Sequence, residues 1–305
     1  MGIALVGALA AVGVLVGGIA ATRSTSVPVR TGAAAERTPT PLSVPTRVPV
    51  PEPTREPAIP SAPSDAELAA LPLAFHDAVI PQLLDGTTTH PENQWSIATP
   101  KAGLVPLYAS PAASAPAVAT LASTVSTIET PAATAVWGRS TGQHGGMVLV
   151  STPARNRTPG DGGHPTAASA TFAWARATDF TFTAVDRMIE VDVSASTVSV
   201  TARDGTVSAT EVARLGSPDD PTPTATATYI EAAYVDGRVA YTQGNPIILT
   251  GAHSSRIAQY GGNAALTALH YYPDPTGSSH GCVRVSAAMT KTLARLPVGT
   301  AIRFT

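Results

Sequence analysis

The sequence predicts a mainly β protein with one helix late in the chain, and three observations carry that expectation. From Trp95 onward, short apolar runs alternate with Gly, Pro and Ser clusters, as in "GLVPLYA", "AVWGRS", "GGMVLVST" and "ATFAWARATDF", which suits a small barrel or sandwich of antiparallel strands. From Arg187 onward the alternation is regular: "MIEVDV" and "TVSVTA" lead through Asp204-Gly205, a hairpin signal, into "TVSATEVA". Only "AAMTKTLARL" reads as a convincing helix, with Ser286 as its N-cap and Pro297-Val298-Gly299 as its stop.

Taken in order, the chain opens on "IALVGALAAVGVLVGGIAA", residues 3–21, a run without a polar side chain close to the ~20 residues that cross a bilayer as a helix. We expect 1–22 to be a membrane anchor, with a cleaved export signal as the alternative. Either places the downstream chain outside the cytoplasm. Arg23 and Arg30 come after the segment and no Lys or Arg precedes it, the reverse of what a cytoplasmic N-terminus prefers. Residues 23–65 are a Pro/Thr-rich linker with no period of strand or helix. Extended at roughly 3 Å per residue, it reaches on the order of 100 Å.

Residues 66–94 are expected as a helical lead-in, broken by Pro72 and Pro81, ahead of a small β domain over 95–183. Within that domain "RNRTPGDGGHPTAASA" reads as a long loop, and His144 and His164 as solvated loop histidines, since nothing at metal-ligand spacing accompanies them. The β-rich region over 187–305 continues through strand-like runs at "TATYIEAAYV", "RVAYTQ" and "PIILTG". A strand "GNAALTALHYY" then ends near His270, and "TAIRFT" closes the chain.

Composition excludes some functions. Hydrophobic residues make up 44% of the 305 and charged residues 13%, enough to bury an ordinary core. A net charge of -2 gives no polybasic face, so nucleic acid is not an expected partner. The single cysteine, Cys282, makes no internal disulfide and no thiolate-rich metal site. With neither a ligand cluster nor a nucleotide loop in view, no metal and no organic cofactor is implied.

Cys282 lies in "GSSHGCVRVS". A buried, inert thiol is one reading; the other is a nucleophile, which needs a base or an electropositive setting to act as thiolate. Three histidines are candidates for that base. His270 stands at a strand end, a rigid place facing a returning loop; His253 lies in the expected loop "TGAHSSR"; His280 sits two residues before the cysteine, better placed to touch substrate. Gly281 allows a sharp turn, so that amide N–H groups around Gly281 and Cys282 can converge on a developing oxyanion.

The stretch "SSHGCVRVS" resembles the signature of the L,D-transpeptidases with a YkuD-type catalytic domain: a histidine, a loop, then Ser/Thr-His-Gly-Cys with Asn or Arg two residues on. Ser279, His280, Gly281, Cys282 and Arg284 fall on it. "EVARLGSPDDPTPTATATYI" is similar to the family's substrate-side strand and turn, with Ala225 where a glycine is usual, and "LPVGTAIRF" to its closing strand. The loop "YYPDPTGSS" is short for the family, and Tyr271 stands after the histidine where glycine is common. The stretch 95–183 weakly resembles bacterial SH3-like modules. Scarce lysine and abundant alanine suggest a GC-rich bacterial genome of the actinobacterial kind.

The resemblance implies a β-rich catalytic domain over 187–305 and cross-linking of peptidoglycan stem peptides outside the membrane, by a monomer held to it through the N-terminal helix. Cys282 would be the nucleophile and His270 its base, oriented by the Tyr271 carbonyl. Ser279, His280, Gly281 and Arg284 would hold substrate and oxyanion, with a structural link across the loop as the alternative for Arg284. An L,D-carboxypeptidase and a non-catalytic wall-binding protein are the alternative functions.

Overall fold

The computed structural model describes residues 58–89, 91–141, 146–260 and 264–305. The expected anchor, the linker up to residue 57 and His144 lie outside them. No helix among the described residues is long and apolar enough to cross a membrane.

The first half is β1 (Leu84–Asp85), β2 (Ser96–Pro100), β3 (Leu104–Tyr108), β4 (Ala117–Ala122), β5 (Thr124–Val125), β6 (Thr130–Pro131), β7 (Thr134–Arg139), β8 (Met147–Thr152), β9 (Thr171–Arg176) and β10 (Phe180–Ala184). Its sheet runs β10-β2-β7-β8-β9-β3-β4, with β1 on β9, while β5 and β6 form a separate hairpin. Val105, Leu107, Val136, Val148, Val150 and Phe180 build its core.

The second half is β11 (Arg187–Asp192), β12 (Thr197–Ala202), β13 (Val207–Val212), β14 (Thr226–Tyr234), β15 (Ile247–His253), β16 (Leu266–Tyr271), β17 (Val283–Val285) and β18 (Ala301–Phe304). The sheet order is β13-β12-β11-β18-β14-β15-β16-β17, so the last strand lies inside the sheet, parallel to β11 and antiparallel to β14. The hairpin expected at Asp204-Gly205 joins β12 to β13, with Gly205 at φ 86. The predicted helix is present as Ala287–Leu293, capped by Ser286, whose hydroxyl accepts from the Met289 N–H. It packs Met289 and Leu293 into a core with Ile189, Ile230, Ile248 and Leu269.

Two expectations change. The lead-in is helical only over Asp65–Ala70, where Ser64 and Glu67 cap each other; Pro72 then removes a donor and ends it. The remaining apolar residues, Ala74, Ile80 and Leu83, fill the edge of the first core from irregular chain ahead of β1. "RVAYTQ" is not a strand but a 3-10 turn over Ala240–Thr242. Arg238 donates back to Asp236, and Gln243 takes a left-handed φ of 51, so the segment curls over the sheet.

A third cluster joins the two halves. Trp137, Leu149 and Phe172 from the first pack with Met188, Ala227 and Tyr229 from the second. Burying aromatic groups of this size contributes about 2 kcal/mol or more each, so neither half presents a finished surface without the other.

Candidate active site

Strands β16 and β17 run parallel, with Leu269 opposite Val283 and His270 opposite Arg284. Side chains alternate along a strand, so Ala268, His270, Cys282 and Arg284 share one face. All four line a cleft of about 660 Å³. Cys282 directly precedes β17 and lies two residues before Arg284, the residue paired with His270, on that face.

His270 is 6% exposed. Its Nδ1 lies 2.9 Å from the Tyr271 carbonyl, which can only accept; Nδ1 therefore carries the proton and Nε2 is left with a free lone pair. Tyr241, brought over by the 3-10 turn, packs on the imidazole with ring centres 5.3 Å apart. Burial pulls the His270 pKa below its ordinary value, the Tyr271 carbonyl opposes this, and Arg284 and Arg214 add to it. The imidazole is thus a neutral acceptor near neutral pH.

Cys282 is partly exposed and packs with Ile247, Leu249 and Ala268. Burial pushes its thiol pKa up, against a hydrogen bond from the Ala268 backbone and the charge of Arg284. A lowered imidazole and a raised thiol give a neutral pair at rest, so proton transfer would accompany attack.

The turn before the cysteine is held from several sides. Ser279 is buried; its N–H donates to the Leu215 carbonyl at 2.8 Å and its hydroxyl donates to the Cys282 carbonyl. Gly281 has φ 82, a conformation that favours glycine, and a Cβ there would stand 3.3 Å from the Pro221 carbonyl. The Gly281 N–H has no acceptor among the described residues. His280 is exposed at the cleft. Its carbonyl lies 2.6 Å from the Tyr260 hydroxyl, which also meets the buried Asp220 carboxylate at 2.6 Å.

Arg284 stacks its guanidinium 4.0 Å over the Tyr272 ring and donates to the Ser278 carbonyl at 3.0 Å. It has no carboxylate partner among the described residues. These bonds tie the loop together, as the structural alternative for this residue expects, while the side chain still lines the cleft. Arg214 flanks Tyr272 from further off, 5.9 Å, and donates to the Thr276 carbonyl.

His253 is not in a loop and does not reach the cleft. It ends β15, is 1% exposed, and its ring contacts the His76 carbonyl at 2.8 Å. Tyr271 contributes its carbonyl, while of these two neighbours Tyr272 lines the cleft. Tyr241 and Tyr260 belong to no motif in the sequence, while Asp220 lies within the stretch similar to the family's substrate-side strand and turn but on none of its motif positions. Only the carboxylate pair Asp219-Asp220, in a Pro-rich turn of a charge-poor chain, offers a signal. The first half also reaches the cleft, through His76 and through Thr127 and Ile128 in the turn between β5 and β6.

Residues 186–303 match the family model YkuD, the L,D-transpeptidase catalytic domain. Among solved structures, the chain is similar to an L,D-transpeptidase from Stackebrandtia nassauensis at 20% identity and a TM-score of 0.28, covering 39% of this chain and 55% of that one. For an L,D-transpeptidase of Enterococcus faecium the values are 21% and 0.26, with 39% and 50% covered. For one from Mycobacterium smegmatis they are 17% and 0.30, with 52% and 90% covered. The chain spans about half the length of the first two of these. No curated protein matches.

Proposed function

We propose that this chain, which carries an L,D-transpeptidase catalytic domain of the YkuD type over residues 186–303, cross-links peptidoglycan stem peptides through a thioester on Cys282. The observation that carries the reading is the shared face of β16 and β17, where a partly exposed thiol and a neutral, carbonyl-oriented imidazole line one cleft.

Cys282 Sγ attacks the carbonyl that joins a diamino acid to the terminal D-alanine. His270 Nε2 takes the thiol proton and returns it to the departing D-alanine nitrogen as the C–N bond breaks. An acceptor amine then attacks the thioester carbonyl and loses a proton to His270; the C–S bond breaks, and His270 returns that proton to the departing Cys282 thiolate. The Gly281 N–H, without an acceptor among the described residues, supports a role in holding the oxyanion, and Arg284, without a carboxylate partner among them, supports pairing with a stem carboxylate. A substrate in the wall suits the expected anchor and stalk, which would keep the enzyme at the outer face of the membrane.

The test incubates the full chain, beside C282A, with a disaccharide-tetrapeptide and follows products by mass spectrometry. Dimeric muropeptide with released D-alanine, absent with C282A, is the expected result. Trimmed monomer alone would replace the transpeptidase by a carboxypeptidase, and unchanged substrate would overturn the reading.

A further inference from the structure

The carbonyls of Ser254, Ile257 and Ala264, on either side of Tyr260 in the chain, take hydrogen bonds from a residue of the other half of the molecule. Arg155 lies beyond β8, outside the matched residues 186–303, and is 1% exposed. Its Nη1 donates to the Ser254 carbonyl at 3.1 Å, and its Nη2 to the carbonyls of Ile257 at 3.0 Å and Ala264 at 2.8 Å. It has no carboxylate partner among the described residues. A buried guanidinium without a counter-charge is costly, and here backbone carbonyls compensate it, so those carbonyls are fixed around it. Burial pulls its pKa down to about 10, and it stays charged at neutral pH.

The three carbonyls bracket Tyr260. The same stretch is tightened by Ser254, whose hydroxyl accepts from the N–H groups of Arg256 and Ile257 and donates to Asp220 at 3.1 Å. Tyr260 places its hydroxyl 2.6 Å from both the Asp220 carboxylate and the His280 carbonyl, two acceptors that its one phenolic proton serves in turn. In a trans peptide the carbonyl of one residue and the N–H of the next point in opposite directions. Holding the His280 carbonyl therefore aims the Gly281 N–H, the group without an internal acceptor, the other way.

We propose that Arg155 is a positioning residue for acyl transfer: acting through Tyr260, it sets the peptide plane between His280 and Gly281, so the preceding β module is part of the catalytic apparatus. This rests on the acyl-transfer reading of Cys282.

The test uses the full chain unaltered and as R155M, Y260F and the double variant. Three quantities are read: the rate of thioester formation on Cys282 with a disaccharide-tetrapeptide, the rate of Cys282 alkylation by iodoacetamide, and the thermal midpoint. Acylation should fall about ten-fold or more in each single variant, because an oxyanion donor is misaimed. Alkylation, which needs no oxyanion donor, should stay within about two-fold. The double variant should be no slower than the worse single one. Unchanged acylation in folded R155M, a parallel loss of both rates, or additive losses would each overturn the inference. Should R155M not fold, R155K, which keeps the charge but not the forked geometry, replaces it and should acylate at an intermediate rate. Absence of acylation in the unaltered protein would instead defeat the functional reading, before any variant is compared.

Discussion

In the proposed mechanism His270 and Cys282 set the pH behaviour of the site, and its direction comes from their surroundings. The imidazole must be neutral to accept a proton, and its pKa is lowered, chiefly by burial, from 6.5; the acid limb of kcat/KM should therefore have its midpoint below pH 6.5. The thiol is raised by burial from 9.0, so iodoacetamide alkylation of the resting protein should keep rising past pH 9.0. An alkylation plateau near neutrality would show a preformed ion pair, and an acid limb above 6.5 would contradict the lowered imidazole. Replacing His270 by Gln should lower kcat by about 10² to 10⁴, the usual worth of a general base, with the fold unchanged by circular dichroism. Ala225 gives a second test. It holds φ 49, and the next residue, Thr226, opens β14. A non-glycine residue there costs roughly 1–2 kcal/mol and glycine recovers part of this, so A225G should raise stability by about 0.5–1 kcal/mol in urea titration. The proposed nucleophile stands out in the sequence because a lone cysteine in Ser-His-Gly-Cys carries its context beside it. Tyr260 and Asp220 do not, because a hydroxyl and a carboxylate far apart in the chain meet only once β14, β15 and their loops are assembled.

The turns around the cleft depend on close backbone approach. A Cβ on Gly216 would fall 2.2 Å from the Asp220 carbonyl oxygen and 2.6 Å from the Thr222 nitrogen, both main-chain atoms that cannot rotate away. G216A should therefore displace Asp220, cost about 2 kcal/mol or more in urea unfolding, and slow acylation. A neutral effect on both would contradict the described turn. The regular strands of the second half are legible, since period-two alternation survives wherever one face is buried, as in β12 with Val198 and Val200 inward. "RVAYTQ" is not: its apolar spacing suits a strand, but the Arg238–Asp236 contact and the left-handed Gln243 override that preference. The lead-in departs for the opposite reason, helical spacing interrupted by prolines and recruited to an edge.

The two halves act as one body because they share Trp137, Phe172, Met188 and Tyr229 in a common core. A fragment limited to 186–305 would expose Met188, Ala227 and Tyr229, and should express as an aggregating or molten species; a cooperative unfolding transition from that fragment would contradict the account. Buried His253 links this body to pH. Burial, with Arg155 behind it, lowers its folded pKa to about 3 from 6.5. The unfolded chain then binds the proton more readily, so stability should be full above pH 6.5 and decline as pH falls toward about 3. H253N should flatten that decline in urea titrations at pH 7 and pH 5. The change in strand regularity from Arg187 onward is visible in the sequence, but the shared core is not, since an interface between modules has the same apolar composition as the core of either. The central claim remains that Cys282 is the acylated nucleophile of one assembled cleft. Intact-mass measurement of the full chain after brief mixing with a disaccharide-tetrapeptide tests it most directly: an adduct lacking the terminal D-alanine, mapped to Cys282 and lost on H270Q, is predicted. An unmodified Cys282, or an adduct elsewhere, would contradict it.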